Sequence, residues 1–209
     1  MRVSINIETL ASIHSLGIGT SKDDITPVLT QIGLTREGDA LRAMVTDRYI
    51  VLTGKYSDAE FDGWEEGETI LVDPKALKSV IDIKKADTHR DTVLVTIHND
   101  GVTGSVYATI NSATRVDLGK VSATFPPVMN LFPRGTEATG SGVVNIKPSF
   151  IAKLAKVLPP EARPERDRVW RFEFRSIENS EKPQPVYAVY SNGDTYELEA
   201  LIQPNLVRS

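Results

Sequence analysis

One order of elements runs through this chain three times: a strand, a helix, then three more strands. RVSINI opens the first pass, with Val3, Ile5 and Ile7 alternating as in a half-buried strand. ETLASIHSLGI follows as a predicted helix, with Ile7, Leu10, Ile13 and Gly17 on one side and Glu8, Ser12 and Ser15 on the other. VLTQIGL, ALRAMVT and YIVLTGKY then read as strands, separated by turn signals at Glu37-Gly38-Asp39 and near Asp47. The second pass opens on TILV and enters a helix at Asp73-Pro74, an N-cap followed by proline in the first turn. Its helix KALKSVIDI carries Leu77, Val80 and Ile81 as a buried stripe, and TVLVTIH, VTGSVYATI and ATRVDLG follow, with Asn99-Asp100-Gly101 as a hairpin turn. The third pass starts at GVVNI, enters its helix at Lys147-Pro148-Ser149, and places Phe150, Ile151, Leu154, Val157 and Leu158 on one side of FIAKLAKVL. A charged loop, PPEARPERDR, leads to the strands VWRFEFR, PVYAVY and YELEALI, the last two flanking the turn Asn192-Gly193-Asp194. The passes begin about 70 residues apart and repeat a pattern, not a sequence.

One such unit leaves a sheet face and a sheet edge exposed, and two units can bury each other's. The expected fold class is therefore α+β, with helices on one face of curved antiparallel sheets. Residues 1–133 would form one complete domain, from units at about 1–60 and 65–121 plus the proline-bounded connector ATFPPVMNLFP. Residues 134–209 would supply a third unit, half of a second domain.

The 209 residues are 40% hydrophobic, enough for a sizeable core, and no apolar run approaches the roughly 18 residues of a membrane span. MRVSINIETL lacks the basic start and apolar centre of a signal peptide, and the chain has no cysteine. The expectation is a soluble protein of a reducing cytoplasm. A net charge of -4 argues against a binder that grips phosphates over most of its surface, but says nothing of local patches. Such patches are visible on two helices. Lys75, Lys78 and Lys85 lie opposite the apolar stripe of the second, with Asp82 among them, and Lys153 and Lys156 opposite that of the third, with Lys147 just before it. A solvated face would look the same. The first helix offers no lysine at all.

Signals for catalysis are poor. His14, His89 and His98 are scattered, no HExxH or Asp-rich metal motif occurs, GIGTSK lacks phosphate-loop spacing, and no serine sits in GxSxG. The acidic stretch DAEFDGWEEGE reads as a solubilising loop; a carboxylate hydrolase using Glu65 and Glu66 would need a paired, environment-shifted geometry that nothing in the sequence indicates. No catalytic residue, metal or cofactor is expected.

Several segments, taken in order, resemble the bacterial-type DNA sliding clamps, the beta subunit of the replicative polymerase. VLTQIGLTREGDALRAMVTDRYIVLTGKY is similar to the two strands leading to that family's T-D-G-x-R-L turn, and TILVDPKALKSVI to the strand and helix that follow. FPPVMNLFP is similar to the F-P-D-Y-x-x-x-x-P signature before a domain crossover, and YELEALIQPNL to the last strand and its M-P-M-R-L ending. Arg48 stands in place of the family glycine, Ile50 in place of arginine, and Gln203 and Asn205 at the two methionine positions. The family subunit carries six units and this sequence three, so the likeness is to a shortened clamp such as a bacteriophage would encode.

That resemblance implies a ring whose helices line a hole for duplex DNA, a processivity factor and not an enzyme. Lys75, Lys78, Lys85, Lys147, Lys153 and Lys156 would face the phosphates. It implies an outer groove for short linear peptides of a polymerase or clamp loader, formed here by Thr46, Tyr49 and Val51, by Pro133, and by Leu201, Gln203 and Pro204. It implies a homo-oligomer, since three units cannot all pair within one chain. The alternative is an adaptor or decoy of the same fold that binds replication proteins without encircling DNA.

Overall fold

The computed structural model describes residues 1–86, 93–101, 103–119, 123–132, 144–157, 169–173, 184–191 and 196–204. The first unit runs β1 (Arg2–Asn6), α1 (Ile7–Leu16), β2 (Ile32–Glu37), β3 (Ala40–Thr46) and β4 (Ile50–Tyr56). A short strand, β5 (Glu60–Asp62), separates it from the second unit: β6 (Thr69–Val72), α2 (Pro74–Ala86), β7 (Leu94–Asp100), β8 (Ser105–Ile110) and β9 (Thr114–Gly119). The third unit contributes α3 (Pro148–Val157), β10 (Arg171–Glu173), β11 (Val186–Ser191) and β12 (Tyr196–Ile202). This is the α+β class read from the pattern, with every assigned strand pairing antiparallel.

The sheets are not those of separate units. One has the order β5-β1-β7-β8-β9 and the other β10-β11-β12-β4-β3-β2-β6. The lead strand of each of the first two units thus leaves its own three-stranded meander and joins the other's. β1 pairs with β7, Arg2 opposite His98 and Asn6 opposite Leu94, while β6 pairs with β2, Ile32 opposite Val72 and Thr35 opposite Thr69. The third unit's meander instead extends that of the first, through the β12–β4 ladder from Tyr196 opposite Tyr56 to Ile202 opposite Ile50.

Alternation decides which face each residue takes. Leu41, Ala43 and Val45 of β3, Ile50 and Leu52 of β4, and Leu198, Ala200 and Ile202 of β12 point into the main core. There they meet Leu10 and Ile13 of α1, Leu77 and Val80 of α2, and Phe150, Leu154 and Val157 of α3. All three helices therefore cover one face of the sheets. On the opposite face a smaller cluster gathers Met44, Val51, Leu71 and Leu201 under Phe125, Val128 and Phe132 of the connector, which forms a single 3-10 turn over Val128–Leu131. Gly33 makes room for that connector: a Cβ there would lie 3.0 Å from the Phe125 ring.

Four expectations change. Residues 27–30 form a 3-10 turn, so the predicted VLTQIGL strand begins only at Ile32. Ser12 and Ser15, expected on a solvent side, make contacts instead: Ser12 is buried with its hydroxyl 3.1 Å from that of Tyr56, and the Ser15 hydroxyl donates to the Val157 carbonyl at 2.6 Å. The acidic stretch holds β5 and the buried Trp64, whose indole N–H donates to the Glu68 carbonyl at 3.0 Å. In the third unit, Val144, Asn145 and Ile146 of the predicted GVVNI strand, and Lys147 after them, are in no sheet; the strand's first two residues lie outside the described residues.

Candidate nucleic-acid interface

The helices are placed by their entries and exits. Asn6 caps α1, its side-chain oxygen accepting from the Thr9 N–H at 2.7 Å, and Asp73 does the same for α2, accepting from the Lys75 N–H at 2.8 Å. At the end of α1, Gly17 lets α2 begin close by, since a Cβ at Gly17 would lie 2.9 Å from Pro74 Cβ. α1 packs against both α2 and α3, so the three stand side by side with α1 in the middle.

On α2, Lys75 and Lys78 are exposed, and Lys78 donates to Asp82 one turn on at 2.5 Å. Lys85 is helical, but its side chain lies outside what the structure describes. On α3, Lys156 is exposed, whereas Lys153 donates to Asp47 of the β3–β4 turn at 2.6 Å, with both side chains about 80% covered. That ion pair joins the third unit to the first. Lys147 is exposed, with its ammonium 5.7 Å from the Tyr49 ring centre. Lys75 and Lys156 have no carboxylate partner among the described residues.

Sequence reading missed one cation. A hollow of about 680 Å³ between the loop after α1, the β3–β4 turn and α3 is lined by Lys22, Lys153 and Lys156, by Asp23 and Asp47, and by Tyr49. The loop after α1 brings its lysine to the same hollow as the third helix. No helical periodicity could signal this, because Lys22 lies beyond the helix.

The residues of the expected peptide groove separate. Val51 and Leu201 are buried beneath the connector, and Thr46 is buried with its hydroxyl donating to the Ile50 carbonyl at 2.9 Å. Tyr49 is 61% exposed and lines the hollow on the helix side. Gln203 is exposed, its N–H donating to the Tyr49 carbonyl at 2.9 Å; Pro204 is buried, and Pro133 lies outside the described residues. Arg48 keeps the left-handed conformation (φ 78°) that favours glycine, and its guanidinium donates to Thr26.

Next to this apolar patch, the joint between the first and third units carries a buried charge network. Arg42 is 3% exposed; it donates to Glu37 at 2.7 and 3.1 Å and to Glu199 of β12 at 2.9 Å, and Tyr187 donates to the other Glu199 oxygen at 2.8 Å. The hydrogen bond from Arg42 holds the Glu37 carboxyl down at about 2, against the partial burial that opposes it. Burial and the bond to Glu199 push the Tyr187 hydroxyl above its ordinary range.

No family model matches the chain. In sequence it is 26% identical over 151 residues to the beta sliding clamp of Streptomyces coelicolor, covering 70% of this chain and 37% of that protein. It is 25% identical over 139 residues to the beta sliding clamp homolog GriR of Streptomyces muensis, covering 65% and 34%. In structure it matches the DNA polymerase III beta subunit of Thermotoga maritima with a TM-score of 0.69 over 100% of this chain and 66% of that one, at 14% identity. In sequence and in fold, the chain is similar to the sliding clamps. The Pseudomonas aeruginosa sliding clamp bound to griselimycin gives a TM-score of 0.70 at 14% identity, covering 99% of this chain and 66% of that one. The chain spans about a third of the length of the two sequence relatives it matches. Among the described residues, no helix is long and apolar enough to cross a membrane.

Proposed function

We propose that this protein is a non-catalytic, cytoplasmic DNA sliding clamp that encircles duplex DNA as a homo-oligomer and tethers replication proteins. The observation that carries this reading is the row α2-α1-α3 on one face of the sheets, with Lys75, Lys78 and Lys156 exposed upon it. A concave wall of ammonium groups attracts phosphates without reading bases, which is what sliding requires. Lys22 supplies positive charge beside the helix that has no lysine, and the exposed Lys147 extends the lining; Lys85 would do so from the end of α2. Lys153 contributes less, because its charge is matched by Asp47. In this reading residues 1–133 form a complete domain and residues 134–209 half of another, and short linear peptides of a polymerase or loader dock on the outer face by the connector.

The test is retention on DNA. Wild-type protein should bind duplex weakly with a negative salt slope, and Lys75→Glu with Lys156→Glu should abolish that binding while leaving the fold and solution mass unchanged. Binding of the double variant at wild-type strength sinks encirclement by this face. The ion pairs Lys153–Asp47 and Lys78–Asp82, which neutralise two of the lysines, favour a second reading, an adaptor that binds replication proteins without DNA. It would show saturable binding of a fluorescent clamp-binding peptide in a protein that no duplex retains.

A further inference from the structure

We propose that two copies of this chain pair through their third units by reciprocal exchange of residues 144–147, each adding this segment as a strand to the β10 edge of the other. The inference deepens the homo-oligomer reading above and names its contact. The template lies within the chain, where the first two units trade lead strands: β1 onto β7 and β6 onto β2.

The third unit holds both halves of such a trade, unmatched. Residues 144–147 lead directly into α3, as Thr69–Val72 lead through Asp73 into α2, yet they are in no sheet. β10, the counterpart of β2, is a sheet edge that pairs with β11 alone among the described residues. Both are built for pairing. Val144 and Ile146 are half-buried against the core while Asn145 and Lys147 are exposed, the alternation of a strand. Their counterparts in β6, Ile70 and Val72, are 3% and 0% exposed. The helices show the same deficit. Four residues beyond the helix entry, Leu10 of α1 and Leu77 of α2 are wholly buried, and Ile151 of α3 is 44% exposed, with Ala155 exposed one turn further on. Val169, just before β10, is 65% exposed.

One identical copy answers both deficits at once, because the missing strand and the missing edge are carried by the same unit. The result is an isologous two-fold contact. Its register follows from β6 on β2 (Leu34 opposite Ile70, Gly33 opposite Leu71, Ile32 opposite Val72) once β10 is superposed on β2 through the matching β10–β11 and β2–β3 ladders. Phe172 then faces the partner's Val144, Arg171 its Asn145 and Trp170 its Ile146.

The chain contains no cysteine, so engineered pairs report unambiguously. Solution mass of the wild type should equal two copies or a multiple of two. Ile151→Lys, at an exposed position, should halve the smallest multiple while circular dichroism and melting stay unchanged. Oxidised Asn145→Cys/Arg171→Cys protein should run as a covalent dimer on a denaturing gel, and neither single variant should. A one-copy wild-type mass, or an oligomer that survives Ile151→Lys and gives no covalent dimer, overturns the proposal and leaves the edge to another segment, another protein or a contact elsewhere, such as β9. DNA retention is read separately. A cross-linked dimer that does not bind duplex refutes encirclement and keeps this contact, whereas a DNA-retained protein without the cross-link does the reverse.

Discussion

The first two units and the third carry the same plan in two states of completion. In the first pair, two lead strands and two helices bury each other, and Val3, Ile5, Leu10, Val72 and Leu77 have no solvent exposure left. In the third, the corresponding segment and helix pack on one side only. What anchors the third unit is its last strand, laid along β4, together with the Arg42–Glu199 and Lys153–Asp47 bridges. A fold built from half-domains therefore stabilises a half by two separable means: a mate that covers its helix and lead strand, or a neighbour that continues its sheet.

The comparison breaks most sharply at equivalent helix positions. Leu10→Ala should cost about 2–5 kcal/mol, as a cavity in a closed core does, while Ile151→Ala in the isolated chain should cost under about 0.5 kcal/mol. Urea unfolding of the two variants, with Ile151→Ala measured at low protein concentration, would show it. Next in size is the sheet joint. Glu199→Gln should cost about 1.5–3 kcal/mol, because Arg42 loses one carboxylate and Tyr187 an acceptor in a buried place. Its signature should be earlier proteolysis within the third unit than within the first two. Glu37→Gln should cost about 1.5 kcal/mol at neutral pH, reduced by the solvent that reaches its open side. Since its carboxyl is held from 4.5 down to about 2, that contribution is present above pH 4.5 and is lost as pH falls towards 2. Melting curves of wild type and variant should converge over that range. Smallest of all, Arg48→Gly should stabilise by about 0.5–1 kcal/mol, less whatever the bond to Thr26 contributes, by relieving a left-handed residue. A variant that melts lower would mean the arginine's contact outweighs its backbone cost.

Periodicity made the plan legible because the core of each unit is local in pattern: Leu41, Ala43 and Val45 alternate, and Leu77 and Val80 recur at helical spacing. Partner choice was not legible. Nothing in RVSINI says that it pairs with residues of the second unit and not with its own meander, and nothing in the letters of Val144, Asn145 and Ile146 says that these three would lack a sheet to join. The polar side of α1 was misread for a related reason. A serine at a helix–helix contact, such as Ser15 donating to the Val157 carbonyl, has the same letter as a serine in water. Of the six lysines expected to face DNA, spacing placed Lys75, Lys78 and Lys156 on exposed surface, but could not foresee that Asp47, more than a hundred residues earlier, would hold Lys153. Lys22 was invisible because position in a loop carries no period.

The ladder that joins Arg2 to His98 has a consequence for how the chain is made. On the ribosome, the residues of β1 have no lasting place until some ninety more have followed them, because the strand they join is translated only then. Until that point the half-apolar β1 is an open edge in a crowded cell. Folding of this protein should therefore lag synthesis of its first unit and begin in earnest only once β7 and β8 clear the exit tunnel.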